Sequence, residues 1–147
     1  MKKLFHFFQS ESRYQQVQKS IESKYEKSGL TLEEAIGIKY KIKKAFEVDK
    51  LHKNNTIGLN ELSYHIDEDR YKVSQVLNEY LKKSFYTILN YYRIQEAKDL
   101  LLDQPFLSVK AIMYEVGFNS KTSFYNAFKK ETGLNPNDYR SMASYAS

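Results

Sequence analysis

Apolar positions in the first third of the chain recur every three or four residues, the spacing of one stripe along an α-helix. Over residues 11–28 that stripe is Tyr14, Val17, Ile21 and Tyr25, and Gly29 predicts its end. Thr31 followed by Glu34 is a capping-box pattern. It predicts a second helix with Ile38, Ile42, Ala45 and Phe46 on one face, running to about Lys53 and closed by Asn54 and Asn55.

Beyond Asn55 the pattern repeats. LNELSYHI at residues 59–66 and VKAIMYEV at residues 109–116 place Leu62 over Ile112, Tyr64 over Tyr114 and Ile66 over Val116. After one inserted residue, Val73 falls over Phe124, Gln75 over Asn126, Leu77 over Phe128, Phe85 over Pro136 and Ile88 over Tyr139. Two copies of about fifty residues make a pair of similar units and not a solenoid, which needs at least three. Each unit reads as a short helix, a tight connection and a longer helix. In the second, Gly117 can reverse the chain in a left-handed conformation, Ser120 can cap the next helix, and Phe124 and Phe128 face inward. In the first, Asp67, Glu68 and Asp69 replace the glycine turn and Asp69 is the predicted cap. Two helices joined by so short a turn form a helix-turn-helix, whose second helix can enter the major groove of DNA.

Between the units, residues 84–104 carry two apolar stripes. One comprises Phe85, Ile88, Leu89 and Tyr92, the other Ile94, Ala97 and Leu101, so this linker helix can bridge two small cores. It should stop before Pro105, because a proline disfavours helical backbone in the residue preceding it. Asn135 and Pro136 form a cap and a first-turn proline that start a last short helix through Tyr139 and Arg140.

Composition narrows the picture without redirecting it. In 147 residues there are five Gly and two Pro beside 13 Tyr and nine Phe, which suits long helices with few turns; the predicted fold class is all-α. The absence of cysteine excludes disulfides, thiolate metal sites and cysteine catalysis. Lys2 and Lys3 before Leu4, Phe5, Phe7 and Phe8 resemble a signal start, but His6 and Gln9 interrupt too short an apolar run, so a soluble, cytoplasmic chain without membrane contact is expected. His6, His52 and His65 lie too far apart for a metal site, and Glu33 with Glu34, or residues 67–69, lack any nucleophile or phosphate loop. No metal, cofactor or enzymatic activity is expected. The net charge of +5 is unevenly spread: residues 1–55 hold 12 Lys/Arg against seven Asp/Glu, and residues 56–147 hold 11 against 11. A neutral repeat region predicts few phosphate contacts and a shallow salt dependence.

The stretch EVGFNSKTSFYNAFKKETGLNPNDYR, residues 115–140, resembles the DNA-binding domain of the AraC/XylS family of transcription regulators, which carries two helix-turn-helix units joined by a long helix. Gly117, Phe118, Ser120, Phe124, Phe128, Lys129, Gly133, Pro136, Tyr139 and Arg140 fall at the family spacing, as do Leu62, Val73, Leu77, Phe85, Arg93, Ala97 and Leu101 upstream. The resemblance covers about residues 40–142. The sequence departs from the family where Ser63 and Met113 stand for alanine and Lys82 for glycine. KYEKSGLTLEEA, residues 24–35, resembles the connector of members with a membrane-embedded or extracellular sensor. The domain expectation is a helical extension over residues 1–38 and the double helix-turn-helix over residues 39–147.

The resemblance implies that one recognition helix presents Tyr71, Ser74 and Gln75 to base edges and the other Lys121, Thr122, Ser123, Tyr125 and Asn126, while Arg70 and Lys129 meet phosphates. Asn and Gln can pair with adenine, Lys can donate to guanine, and Ser or Thr can contact bases or phosphates. Arg93 is implied to be a structural ion-pair residue of the linker helix. Phe118, Phe124, Phe128, Leu77 and Tyr139 are expected in the core. The function implied is sequence-specific binding of double-stranded operator DNA and transcription regulation, with recognition helices about 34 Å apart in successive major grooves. The implied partners are RNA polymerase, a second copy paired through the Tyr14 to Tyr25 stripe, and an N-terminal sensor region. The alternative is a protein-interaction module in which degraded units bind a sensor or polymerase through tyrosine-rich faces; the acidic turn and the neutral charge favour it.

Overall fold

A computed structural model describes residues 29–145, and every regular element among them is helical. The stripe predicted over residues 11–28 lies outside the described residues. The first described helix, α1 (Leu32–Glu47), opens on the predicted capping box: Thr31 N donates to Glu34 Oε2 at 3.0 Å and Glu34 N to Thr31 Oγ1 at 3.1 Å. Its buried face is Ala35, Ile38, Ile42, Ala45 and Phe46, and it runs past residue 38 without a break. It ends at Glu47, short of the expected Lys53. Lys50 turns left-handed (φ 55°) and Leu51–Lys53 forms a 3₁₀ turn. No helix former or breaker accounts for that stop; the carbonyls of His52 and Asn54 are taken by a distant arginine, described below.

The chain divides into two compact units, one containing residues 29–45 and 59–85, the other residues 46–58 and 86–145 of those described. In the first unit, α2 (Leu59–His65) leads through Asp67 (φ 53°) to α3 (Arg70–Gln75), capped by Asp69, whose side chain accepts from Tyr71 N and Lys72 N. α3 continues as a wider π-type turn, Val76–Leu81, that closes on Lys82 at φ 50°. Lys82 therefore adopts the conformation for which the family uses glycine. Leu62, Ile66, Val73, Val76 and Leu77 are buried, and the buried Ser63 donates Oγ to Leu59 O at 2.8 Å, so its hydroxyl is satisfied where an alanine would have none.

α4 (Phe85–Asp103) stops two residues before Pro105, and both of its predicted stripes are buried. In the second unit, α5 (Val109–Glu115) is capped by Ser108, α6 (Lys121–Thr132) by Ser120, and α7 (Pro136–Tyr145) by Asn135, whose Oδ1 accepts from Asp138 N at 2.8 Å. α7 runs five residues beyond the predicted Arg140. Arg140 itself leaves that helix to donate to Leu101 O, Gln104 O and Leu107 O, pinning the α4–α5 connection. The core joins Ile94, Ala97 and Leu101 of α4 to Ile112, Met113, Val116, Phe118, Phe124 and Phe128. Its aromatic rings meet at angles: Phe118 and Phe124 centroids are 5.2 Å apart, Phe124 and Phe128 5.8 Å, and Phe128 and Tyr139 5.4 Å. The repeated positions thus keep their burial, with Leu62 and Ile112, Val73 and Phe124, and Leu77 and Phe128 all inside.

Among the described residues Arg93 has no carboxylate partner and bonds to backbone carbonyls instead. Buried at 7% exposure, it donates Nε to His52 O at 2.8 Å and Nη2 to Asn54 O at 2.9 Å, and its guanidinium carbon lies 5.3 Å from the centroid of Phe118. Burial pulls its pKa down to about 10, still well above neutral, so it stays charged. Gly117 (φ 108°) passes against this group, where a methyl would collide with His52 O and come within 2.8 Å of Arg93 Nε. Asn55 and Asn119 complete the contact: Asn119 Nδ2 donates to Asn55 O at 2.9 Å and Asn55 Nδ2 to Asn119 Oδ1 at 3.0 Å. His52 Nε2 lies 2.6 Å from Glu96 Oε2, and Lys53 Nζ reaches Glu96 at 3.1 Å and Glu115 at 3.3 Å. Burial raises the Glu96 pKa, but hydrogen bonds from His52 and Lys53 outweigh it and hold the carboxyl below its ordinary value. None of the helices among the described residues is long and apolar enough to cross a membrane.

Two glycines separate backbone strain from collision. Gly133 is also left-handed (φ 78°) but has nothing within 4 Å of a added methyl. Gly133→Ala should cost about 1 kcal/mol, the left-handed penalty alone, whereas Gly117→Ala should cost at least about 3 kcal/mol; chemical denaturation of both variants checks the difference. Arg93→Met should cost about 3 kcal/mol by leaving two carbonyls without their donor. Loss of Glu96's stabilising bonds follows protonation: because its folded pKa is depressed, that contribution is present above the ordinary carboxylate range and is lost as pH falls through the folded value. Glu96→Gln should flatten the acid limb of a stability-against-pH curve.

Candidate nucleic-acid interface

α6 sorts its residues by helical period. Phe124, Ala127 and Phe128 are buried, which turns Lys121, Thr122, Ser123, Asn126 and Lys129 to the exposed side. Ser120 fixes where this helix starts: its Oγ accepts from Ser123 N at 3.1 Å and donates to Ser123 Oγ at 2.9 Å. Tyr125 differs from the other five. It is half-buried, edge-on to Phe124 at 5.9 Å between centroids, and Lys121 Nζ rests 5.1 Å from the centroid of its ring. The cation over the ring face orients the lysine along the helix surface.

α3 presents less. Arg70 and Tyr71 are exposed, Tyr71 at 78%, while Ser74 and Gln75 are half-buried and Ser74 Oγ accepts from Asn78 Nδ2 at 3.3 Å. Val73 of α3 and Val76 and Leu77 of the widened turn are buried like Phe124, Ala127 and Phe128 of α6, so the two helices differ in the polar residues they carry and in their exposure, not in which positions face the core. The acidic turn preceding α3 is largely engaged. Glu68 pairs with Lys41 at 2.6 Å, and the Asp69 carboxylate is held by two backbone N–H groups of its own helix. Lys72 pairs with Glu34 at 3.2 Å; a backbone hydrogen bond from Thr31, then the bond from Lys72, lowers the Glu34 pKa. Sequence reading missed these partners, since Lys41 and Glu68 are 27 residues apart and Lys72 and Glu34 38, beyond any helical spacing.

The pairings decide which cations remain available. Lys41, Lys53 and Lys72 have carboxylate partners, whereas Arg70, Lys110 and Lys129 have no ion pair among the described residues and Lys121 has only an aromatic ring. A region of balanced formal charge thus leaves unpaired cations on α3, α5 and α6.

The helix-turn-helix domain family matches residues 67–142. The xylose operon regulatory protein of Haemophilus influenzae is 29% identical over 84 residues; the match covers 57% of this chain and 21% of that protein, so the chain spans about a fifth of the length of this curated relative. Among solved structures, the C-terminal domain of AraT, a response regulator from Geobacillus stearothermophilus, is 26% identical with a TM-score of 0.60, covering 69% of this chain and 84% of that one. A transcriptional regulator with an AraC-type DNA-binding domain from Chromobacterium violaceum shares the fold, with a TM-score of 0.58 at 20% identity over 72% of this chain and 94% of that one. The matched segment takes in α3, α4, α5, α6 and most of α7, and on it the chain belongs to the AraC-type helix-turn-helix family of DNA-binding transcription regulators.

Proposed function

We propose that this chain binds double-stranded operator DNA sequence-specifically through α3 and α6, placed in successive major grooves, and so regulates transcription. The observation that carries the reading is the single exposed side of α6, where Thr122, Ser123, Asn126 and Lys129 stand together over a fully buried Phe124 and Phe128. An exposed amide and two hydroxyls supply hydrogen-bonding groups that can read base edges, and Lys129 supplies a phosphate contact. Lys121 and Tyr125 join this set at its margin. On α3, Tyr71 and Arg70 meet the duplex directly, and the half-buried Ser74 and Gln75 contribute less; the first unit serves more to position than to specify. The same reading includes pairing of two copies through the segment before residue 29, a sensor region in the longer regulator, contact with RNA polymerase at the promoter, and a cytoplasmic location. The acidic turn opposes DNA less than its three carboxylates suggest, because Lys41 neutralises Glu68 and the Asp69 carboxylate caps the N-terminus of α3.

Selection of duplexes from a random pool at low salt tests this reading, and enrichment of two half-sites about one helical turn apart is the expected result. Retention without any enriched sequence would overturn it. Asn126→Ala should weaken binding to the selected duplex by about 1–3 kcal/mol and relax preference at one base pair. Gln75→Ala should cost less than Asn126→Ala in the same titration, in keeping with its partial burial.

A further inference from the structure

The second unit contains a cleft of about 350 Å³ between its two helix-turn-helix helices. That is near the lower end of the roughly 300–1,000 Å³ common for ligand clefts. Met113 and Phe124 line it with apolar surface, and Lys110, Tyr114, Asn119 and Lys121 bring polar ends to it. Lys110 and Tyr114 belong to α5 and were not among the residues expected to touch DNA; both are exposed, Tyr114 at 53%.

We propose that this cleft seats one phosphodiester of the DNA backbone, with Lys110 and Lys121 as its cations and the Tyr114 hydroxyl as a further donor, so that Lys121 positions α6 and does not read a base. The proposal rests on the DNA-binding reading above and deepens it. Lys121 is the first residue of α6 and its ammonium lies over the Tyr125 ring, a placement that draws it along the helix surface to the cleft. Lys110 sits on the helix that, in a helix-turn-helix, crosses the backbone while its successor enters the groove. An ammonium is a compact point charge suited to a phosphate oxygen, and lacks the paired geometry of an amide reading adenine.

The surrounding charges agree. Glu115 is the only acid of α5, and Lys53 holds it at 3.3 Å; the only acid of α6, Glu131, stands near that helix's far end. Lys110 and Lys121 have no carboxylate partner among the described residues, so an anion from outside can satisfy both. The partly exposed Val109 and Tyr125, with the ring of Tyr114, give the cleft an apolar wall against which the C–H face of a deoxyribose can rest.

Affinity of the whole 147-residue chain for its selected duplex and for a random duplex, measured by fluorescence anisotropy across a salt series, tests the assignment. Lys110→Gln and Lys121→Gln should each reduce the slope of log affinity against log salt by about 0.9, on both duplexes alike, with the selected sequence preference unchanged. Tyr114→Phe should weaken both complexes and leave the slope as it was. A changed preference at one base pair in Lys121→Gln would make Lys121 a base reader and overturn the proposal, as would an unaltered slope in Lys110→Gln. Thermal melting of each variant confirms the fold, and Lys110, fully on the surface, provides the readout should Lys121→Gln melt early. If the unaltered chain enriches no sequence at low salt, the DNA-binding reading itself fails; if it does and the lysine variants keep their slopes, only the cleft assignment fails.

Discussion

The second unit is organised around one buried guanidinium. Arg93 projects from the middle of α4 and ties down two carbonyls of a segment about forty residues earlier, and the turn of the second helix-turn-helix closes over it at Gly117. The planar guanidinium offers Nε and Nη2 as two donors in fixed relative geometry, one for each carbonyl, so less side-chain freedom is lost per bond than a flexible ammonium would lose. The segment it holds is the one after α1, where Lys50 turns left-handed and Leu51–Lys53 forms the 3₁₀ turn. The reciprocal pair Asn55 and Asn119 then attaches this segment to the residue just before the α6 cap. The start of the second recognition helix is thereby set by polar contacts on one side and by the aromatic core on the other.

Charge pairing gives the molecule a polarity that its formal balance conceals. Counting residues treats every lysine as equal, yet carboxylates from other elements occupy Lys41, Lys53 and Lys72. Among the described residues, Arg70, Lys110, Lys121 and Lys129 on the helices of the two helix-turn-helix units keep their charge without a carboxylate partner. A domain can in this way approach a polyanion without a large net positive charge, since local field at the contact face matters more than the sum over the chain.

Much of this architecture was legible in the residues. Capping signals marked helix starts at Thr31, Asp69, Ser120 and Asn135; Pro105 marked a stop; the fifty-residue repeat identified the pair of units and, through its apolar positions, which residues of α6 are buried. These are local effects, settled within one turn of helix. What could not be read were outcomes decided at long range. The placing of residues 50–55 involves Arg93, the fate of the acidic turn Lys41, and the left-handed backbone of Lys82 the closing of the π-type turn. The candidate interface followed the same division. Exposure of Thr122, Ser123 and Asn126 comes from periodicity, whereas the partial burial of Tyr125 and Gln75, and the cleft that unites Lys110 with Lys121, arise only when separate helices are packed.

The widened turn at Val76–Leu81 bears on how the two units are compared. α3 with its extension, and α6, each span the same number of residues from a capping side chain at Asp69 or Ser120 to a left-handed residue at Lys82 or Gly133. A π-type turn holds more residues per revolution than an α-turn, so the first unit winds more loosely over Val76–Leu81 than α6 does over the matching residues. Even so, Val76 and Leu77 stay buried as their counterparts Ala127 and Phe128 do, so the first unit absorbs the wider turn without exposing an apolar position. Asn78 and Glu79 stand where α6 has Lys129 and Lys130, so the loosened end of the first unit offers a polyanion an amide and a carboxylate where the second offers two cations.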